Sequence, residues 1–172
     1  MCTKAIATML LLVCAALALG FQGEWVKFSP PEGRFSILMP SQPEAAAVSE
    51  SGNTGYRYVV LGNGHGFVCM YLDLPPTSFD RDTFLDATSD GIVHGAKATK
   101  VREQKISLEG YSGRELEYAL NRPDRPGTAR TRFFLVGRRL YSLTFVSADD
   151  FDPKLKAEQA AKFFSSFKLM AE

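Results

Sequence analysis

Arginine is the residue type in this chain best suited to chemistry, and it is concentrated. Seven of the eleven arginines lie between positions 114 and 139: Arg114, Arg122, Arg125, Arg130, Arg132, Arg138 and Arg139. The acids in that window are Glu115, Glu117 and Asp124, so the local excess is 7 − 3 = +4. A guanidinium is a planar fork of donors matched to carboxylate and phosphate. Such a cluster therefore suits an anion-binding edge for a phosphate, a carboxylate or an acidic partner. The same residues have a structural use. If the strands flanking Asn121–Gly127 pair, Glu115 and Glu117 stand opposite or diagonal to Arg130 and Arg132, as cross-strand opposite charges commonly do. Arg138 and Arg139 then read as turn and edge charges that discourage strand-to-strand aggregation. A third use is acid–base work by Glu115 or Glu117 beside Arg130 and Arg132. It requires environments that hold the two carboxylates' pKa values apart.

Other reactive residues are sparse. His65 and His94 are the only histidines. A zinc site would need them joined to Cys69 or to carboxylates such as Asp73. His65 and Cys69 are four apart, and on a strand that is about 13 Å, too far to share one ion. His65 reads as a turn residue and His94 as a polar helix position. Gly110-Tyr111-Ser112-Gly113 misses the second glycine of a nucleophile elbow by one position and joins two strands, so it reads as a turn. Ser165-Ser166-Phe167-Lys168 has the spacing of a serine–lysine pair, but it falls at the end of the last helix, where lysine has a plain dipole role. Gly62-Asn63-Gly64-His65-Gly66 has no helix after it, so it is not a phosphate cradle. These tests assign no catalytic, cofactor-binding or metal-binding residue, and no cofactor is expected.

The elements that would position the arginines are mostly strands. Thr131–Val136 and Arg139–Val146 are apolar, β-rich runs joined by Gly137-Arg138, which predicts a β-hairpin. Further strands are predicted at Trp25–Phe28, Phe35–Met39, Tyr56–Leu61, Phe67–Leu74, Lys100–Leu108 and Arg114–Leu120. In Phe67–Leu74 both alternating faces are apolar, so cover on both sides is expected. Ser41–Gly55 reads as a polar, mobile connector. One helix is predicted from a cap at Thr77 or Ser78 to about Ala96, with Phe84, Leu85, Thr88, Ile92 and Gly95 inward. Gly91 and Gly95 cost about 1 kcal/mol each in a helix interior, which suggests close approach to the sheet. A second helix starts at Asp152-Pro153, with Leu155, Ala160, Phe163, Phe164 and Phe167 inward.

The address is written at the start. Lys4 precedes an apolar run from Ala5 to Leu19, and Ala18-Leu19-Gly20 offers small residues for cleavage before Phe21. That is the pattern of a secretory signal peptide over 1–20, and at about 15 residues the run is short for a membrane span. A lipid anchor at Cys14 is disfavoured, because Leu11-Leu12-Val13 lacks the small residue such a site wants. Residues 21–172 suit one domain, exported to the periplasm or outside the cell. Cys69 then remains alone, with no internal disulfide available, and its apolar run predicts a buried small hydrophobe. The chain carries 20 basic and 19 acidic residues. That balance argues for neither nucleic acid nor an acidic membrane as partner.

The predicted architecture is α+β, an antiparallel sheet of about six to eight strands flanked by two helices. Several phrases along it resemble the PsbP-like fold: Pro31-Glu32-Gly33-Arg34-Phe35-Ser36-Ile37 with Pro40, Gly110–Leu116, Arg138-Arg139-Leu140-Tyr141, and Phe163–Leu169. That fold is an α/β/α sandwich named for an extrinsic subunit of photosystem II. It is shared with a small Ran-binding protein and with uncharacterised bacterial secreted proteins. The resemblance implies fold and carries over no functional residue. The expected function is an exported, non-enzymatic binding or accessory domain whose partner is a protein or a small anionic ligand. The alternatives are an assembly subunit of a photosystem-type or envelope complex, and a hydrolase-like enzyme using the Glu115/Glu117/Arg130/Arg132 face.

Overall fold

The computed structural model describes residues 24–50 and 52–170, so the expected signal peptide lies outside the described residues. The strands are β1 (Val26–Phe28), β2 (Phe35–Met39), β3 (Glu44–Glu50), β4 (Asn53–Gly62), β5 (His65–Asp73), β6 (Ala98–Leu108), β7 (Tyr111–Leu120), β8 (Gly127–Val136), β9 (Arg139–Ala148) and β10 (Lys168–Leu169). The helices are α1 (Arg81–Gly95) and α2 (Pro153–Ser165). Seven strands form one antiparallel sheet in the order β3-β4-β5-β9-β8-β7-β6, and β1-β2-β10 form a small one. The α+β class expected from the sequence is the class observed.

Hairpin turns set the register. Val136 pairs with Arg139 across Gly137-Arg138, and Gly137 has φ 60. Glu109 and Gly110 join β6 to β7 with φ 51 and 85, two positive values in a row, as a tight hairpin turn requires. Within Gly110–Gly113 only Gly110 belongs to that turn. Ser112 and Gly113 lie in β7, where Ser112 pairs with Ser107.

Each face of the large sheet has its own core. On one face, α2 and the small sheet cover Phe67, Cys69, Tyr141, Leu143 and Phe145, with Phe35, Ile37, Phe163, Phe164 and Phe167 packed over them. On the other face, α1 lays Leu85 over Leu116, Phe133, Leu135 and Leu140. Cys69 is fully buried, and burial pushes its thiol pKa well up.

Several expectations are corrected. The connector contains β3, paired with β4 from Glu44↔Val59 to Glu50↔Asn53. The cap of α1 is Asp80, whose side chain accepts from the Thr83 N–H at 2.8 Å. A Cβ built on Gly91 or Gly95 would meet nothing within 4 Å, so neither glycine mediates close packing. Leu155 is exposed. Lys168 lies in β10, paired with Ser36, and not in the last turn of a helix. His65 opens β5, and its ring lies 4.6 Å from that of Phe151.

The largest difference concerns β5. Its Phe67, Cys69 and Tyr71 face is buried, but Val68, Met70 and Leu72 are only half-buried. The physical reason is the placement of α1, which packs on β6 and β7 and so leaves the β4–β5 half of that face without a helix.

Candidate anion-binding site

The arginine cluster separates into pairs once the strands are in register. Glu115 stands opposite Arg132 and Glu117 opposite Arg130, as the strand pairing predicts. Arg132 Nε donates to Glu115 at 2.5 Å, and Arg130 Nη2 lies 2.7 Å from Glu117. Glu115 also accepts from the Gln104 amide at 2.7 Å, and the Arg132 guanidinium lies 4.9 Å from the Phe164 ring. These two rows stabilise the sheet across β6, β7 and β8, and their acceptors are already engaged.

Arg114 has a role that the sequence reading missed. Its side chain is 2% exposed and lies in β7 on the face beneath α1. Nη2 donates to Asp82 at 2.8 Å and Nε to Asp86 at 2.9 Å, both from α1. Burial works against the charge, but the hydrogen bonds it donates to Asp82 and Asp86 outweigh it and hold the guanidinium above its ordinary pKa. Lys105 beside Asp82 and Lys100 beside Asp90 extend this contact. An acidic stripe on α1 thus meets a basic sheet edge. The one available signal was Asp82, Asp86 and Asp90 at helical i, i+4 spacing on a single face.

Arg138 and Arg139 are not edge charges. Strand β9 is the centre of the seven-stranded sheet. Arg139 grips Asp73 with two bonds, 2.6 Å from Nε and 2.7 Å from Nη2, and lies 4.4 Å from the Tyr71 ring. Its Nη1 donates to the Glu32 carbonyl at 2.8 Å, while Tyr141 OH donates to the Gly33 carbonyl at 2.9 Å. The bonds to Asp73 hold the Arg139 guanidinium above its usual pKa, against the opposing effect of burial. Arg138 donates to the Leu74 carbonyl at 2.5 Å and otherwise projects from the turn.

These groups border an open hollow of about 890 Å³. Arg34, Arg138 and Arg139 line it, with Asp73 and Glu109 as its acids and Tyr111, Tyr141 and Met170 as its apolar walls. Arg34 comes from the turn before β2 and sits at φ 54, a left-handed backbone that costs a non-glycine residue about 1–2 kcal/mol. The Met170 N–H donates to its carbonyl at 2.9 Å, which ties the end of β10 to the rim. Of the seven clustered arginines, only Arg138 and Arg139 reach this hollow. Arg122 and Arg125 line a smaller cavity of about 240 Å³ at the opposite end of β9.

Among the described residues, no three His, Cys, Asp or Glu side chains come together as ion ligands. His65 Nδ1 lies 3.2 Å from the Asn63 carbonyl. Among the described residues, no helix is long and apolar enough to cross a membrane.

No protein-family model and no curated protein sequence matches the chain. Solved structures do. Cyanobacterial PsbP (CyanoP) from Synechocystis sp. PCC 6803 superposes with a TM-score of 0.58 at 13% identity, over 88% of this chain and 95% of that one. The Ran-binding protein Mog1p of Saccharomyces cerevisiae gives a TM-score of 0.48 at 9% identity, over 85% of this chain and 95% of that one. A Pseudomonas aeruginosa protein of unknown function, described as a putative regulator, gives 0.46 at 16% identity, over 81% and 95%. At such identities the likeness is one of fold. The fold of this chain, two helices on an antiparallel sheet, is PsbP-like.

Proposed function

We propose that this chain is an exported accessory domain that binds an acidic segment of a partner protein through Arg34, Arg138 and Arg139. In this reading residues 1–20 are removed and residues 21–172 act as one domain in the periplasm or outside the cell. One observation carries the proposal. Three guanidinium groups from two separate elements border one open hollow against two acids, an excess of 3 − 2 = +1. Arg139 is already oriented by Asp73, so little side-chain entropy is lost when a ligand arrives. The hollow is wide and lies beside exposed Met170 and Tyr111, which suits an extended peptide with apolar neighbours. A subunit of an envelope or photosystem-type complex is a partner of that kind. No comparable observation favours a hydrolase at Glu115, Glu117, Arg130 and Arg132, because each carboxylate there is already bonded to an arginine.

The test is a nuclear magnetic resonance titration of the purified protein with a glutamate-rich peptide. Shifts centred on Arg34, Arg138, Arg139 and Met170, lost in Arg138→Glu, support the reading. Shifts centred on Arg130 and Arg132, or none, refute it.

A further inference from the structure

A second cavity, of about 360 Å³, lies between α2 and the sheet. It stands over the row Glu117–Arg130–Phe145, which runs straight across β7, β8 and β9. Phe145 is six residues along β9 from Arg139, or about 20 Å, so this cavity is separate from the arginine hollow. Its apolar walls are Phe145, Val101 and the alanines of α2. Ala157 and Ala161 are exposed and one turn apart, and their short side chains leave the space open. Val101 sits where the β6 register shifts and is 65% exposed.

The charges on the lining do not cancel. Arg130, Lys156 and Glu117 are the cavity's charged lining residues, leaving 2 − 1 = +1. Arg130 is committed to Glu117 at 2.7 Å. Lys156 donates one N–H to Thr128 Oγ1, and an ammonium has two more to give. The excess charge therefore resides at Lys156, on the lining of a largely apolar slot. The volume equals about a dozen water molecules and lies in the range of small-ligand pockets.

We propose that this cavity binds a monocarboxylate carried on a short apolar body. The body lies against Phe145, Val101 and the alanines, and the carboxylate meets the Lys156 ammonium. One negative charge matches the single positive excess, whereas a dianion would also confront Glu117.

Calorimetric titration of the purified protein with decanoate and with 1-decanol, which has the same tail and no charge, tests this. The expected result is saturable one-to-one binding of decanoate, with 1-decanol weaker by about tenfold or more. Lys156→Gln should bring decanoate to the 1-decanol level. Ala157→Leu/Ala161→Leu should abolish binding of both, because leucine fills the slot while remaining a good helix former. Arg138→Glu should leave decanoate binding unchanged, which separates this site from the arginine hollow. The proposal is overturned if decanoate does not bind, if 1-decanol binds equally well, or if Lys156→Gln binds decanoate as the wild type does.

Discussion

The Arg114 contact makes a prediction that runs against intuition. Removing the buried cation should cost less than removing the two exposed acids that hold it. Arg114 is 2% exposed, whereas Asp82 and Asp86 are each 60% exposed. In Asp82→Asn/Asp86→Asn the guanidinium stays buried with neutral acceptors alone, the two amide oxygens and the Gly113 carbonyl at 3.1 Å, and without a counter-charge from either position. A buried charge left without its counter-charge costs about 3–5 kcal/mol. In Arg114→Met the two aspartates return to water, and methionine refills most of the volume. The loss is then near the value of ordinary charge-assisted bonds at a half-exposed site, about 1–2 kcal/mol. For a chain of this size, 1 kcal/mol moves the unfolding midpoint by about 2–4 °C. Thermal unfolding should therefore fall by about 10 °C in the double aspartate variant and about 4 °C in Arg114→Met. The triple variant Asp82→Asn/Asp86→Asn/Arg114→Met should recover most of the difference. If Arg114→Met is as damaging as the double variant, or the triple variant recovers nothing, the buried-charge reasoning fails.

Three further outcomes follow from individual contacts. The Asp82 pKa is lowered first by its bond from Arg114 and then by Lys105, and Asp80 is lowered by the Thr83 N–H. Their stabilisation is complete above the ordinary value of 3.8 and fades as pH falls through the lowered values. Denaturation midpoints should thus show no loss from these groups between neutrality and about pH 5, and a loss in stronger acid; a loss from them already near pH 6 would contradict the sign. Arg34→Gly relieves a left-handed backbone but adds chain entropy to the unfolded state, so its two backbone effects should offset each other to within about 1 kcal/mol. The same variant should weaken acidic-peptide binding, measured alongside unfolding, and a large stability loss with binding intact would be the contrary result. Cys69, fully buried with a raised thiol pKa, should react with a thiol reagent only in denaturant, and prompt reaction in the native protein would exclude its buried position.

The local part of this fold was legible in the sequence and the non-local part was not. Gly137-Arg138 between two apolar runs foretold the β8–β9 hairpin. Asn121–Gly127 placed Glu115 and Glu117 against Arg130 and Arg132, because a short loop fixes both partners. Asp73–Arg139 and Asp82–Arg114 lie 66 and 32 residues apart in sequence, and no local spacing reports such pairs. Strand β3 escaped notice because Glu44–Glu50 contains three alanines and no aromatic. The open edge of β4 makes it a strand, an effect of context over propensity. The alternation of Phe67–Leu74 correctly marked two apolar faces. It could not say that α1 sits over the other half of the sheet. The hollow at Arg34 was beyond a sequence reading for the same reason. It joins the turn before β2, the β8–β9 turn and the end of β10, which meet only in three dimensions.

The most direct test of the proposed function compares two charge reversals in capture from the native envelope fraction. Purified wild type, Arg138→Glu and Arg130→Glu/Arg132→Glu serve as baits, with folding checked by circular dichroism. A partner held by wild type and by Arg130→Glu/Arg132→Glu, but lost by Arg138→Glu, is the predicted result. A partner that survives Arg138→Glu and is lost with Arg130→Glu/Arg132→Glu would move the binding surface to the paired strands and contradict the account.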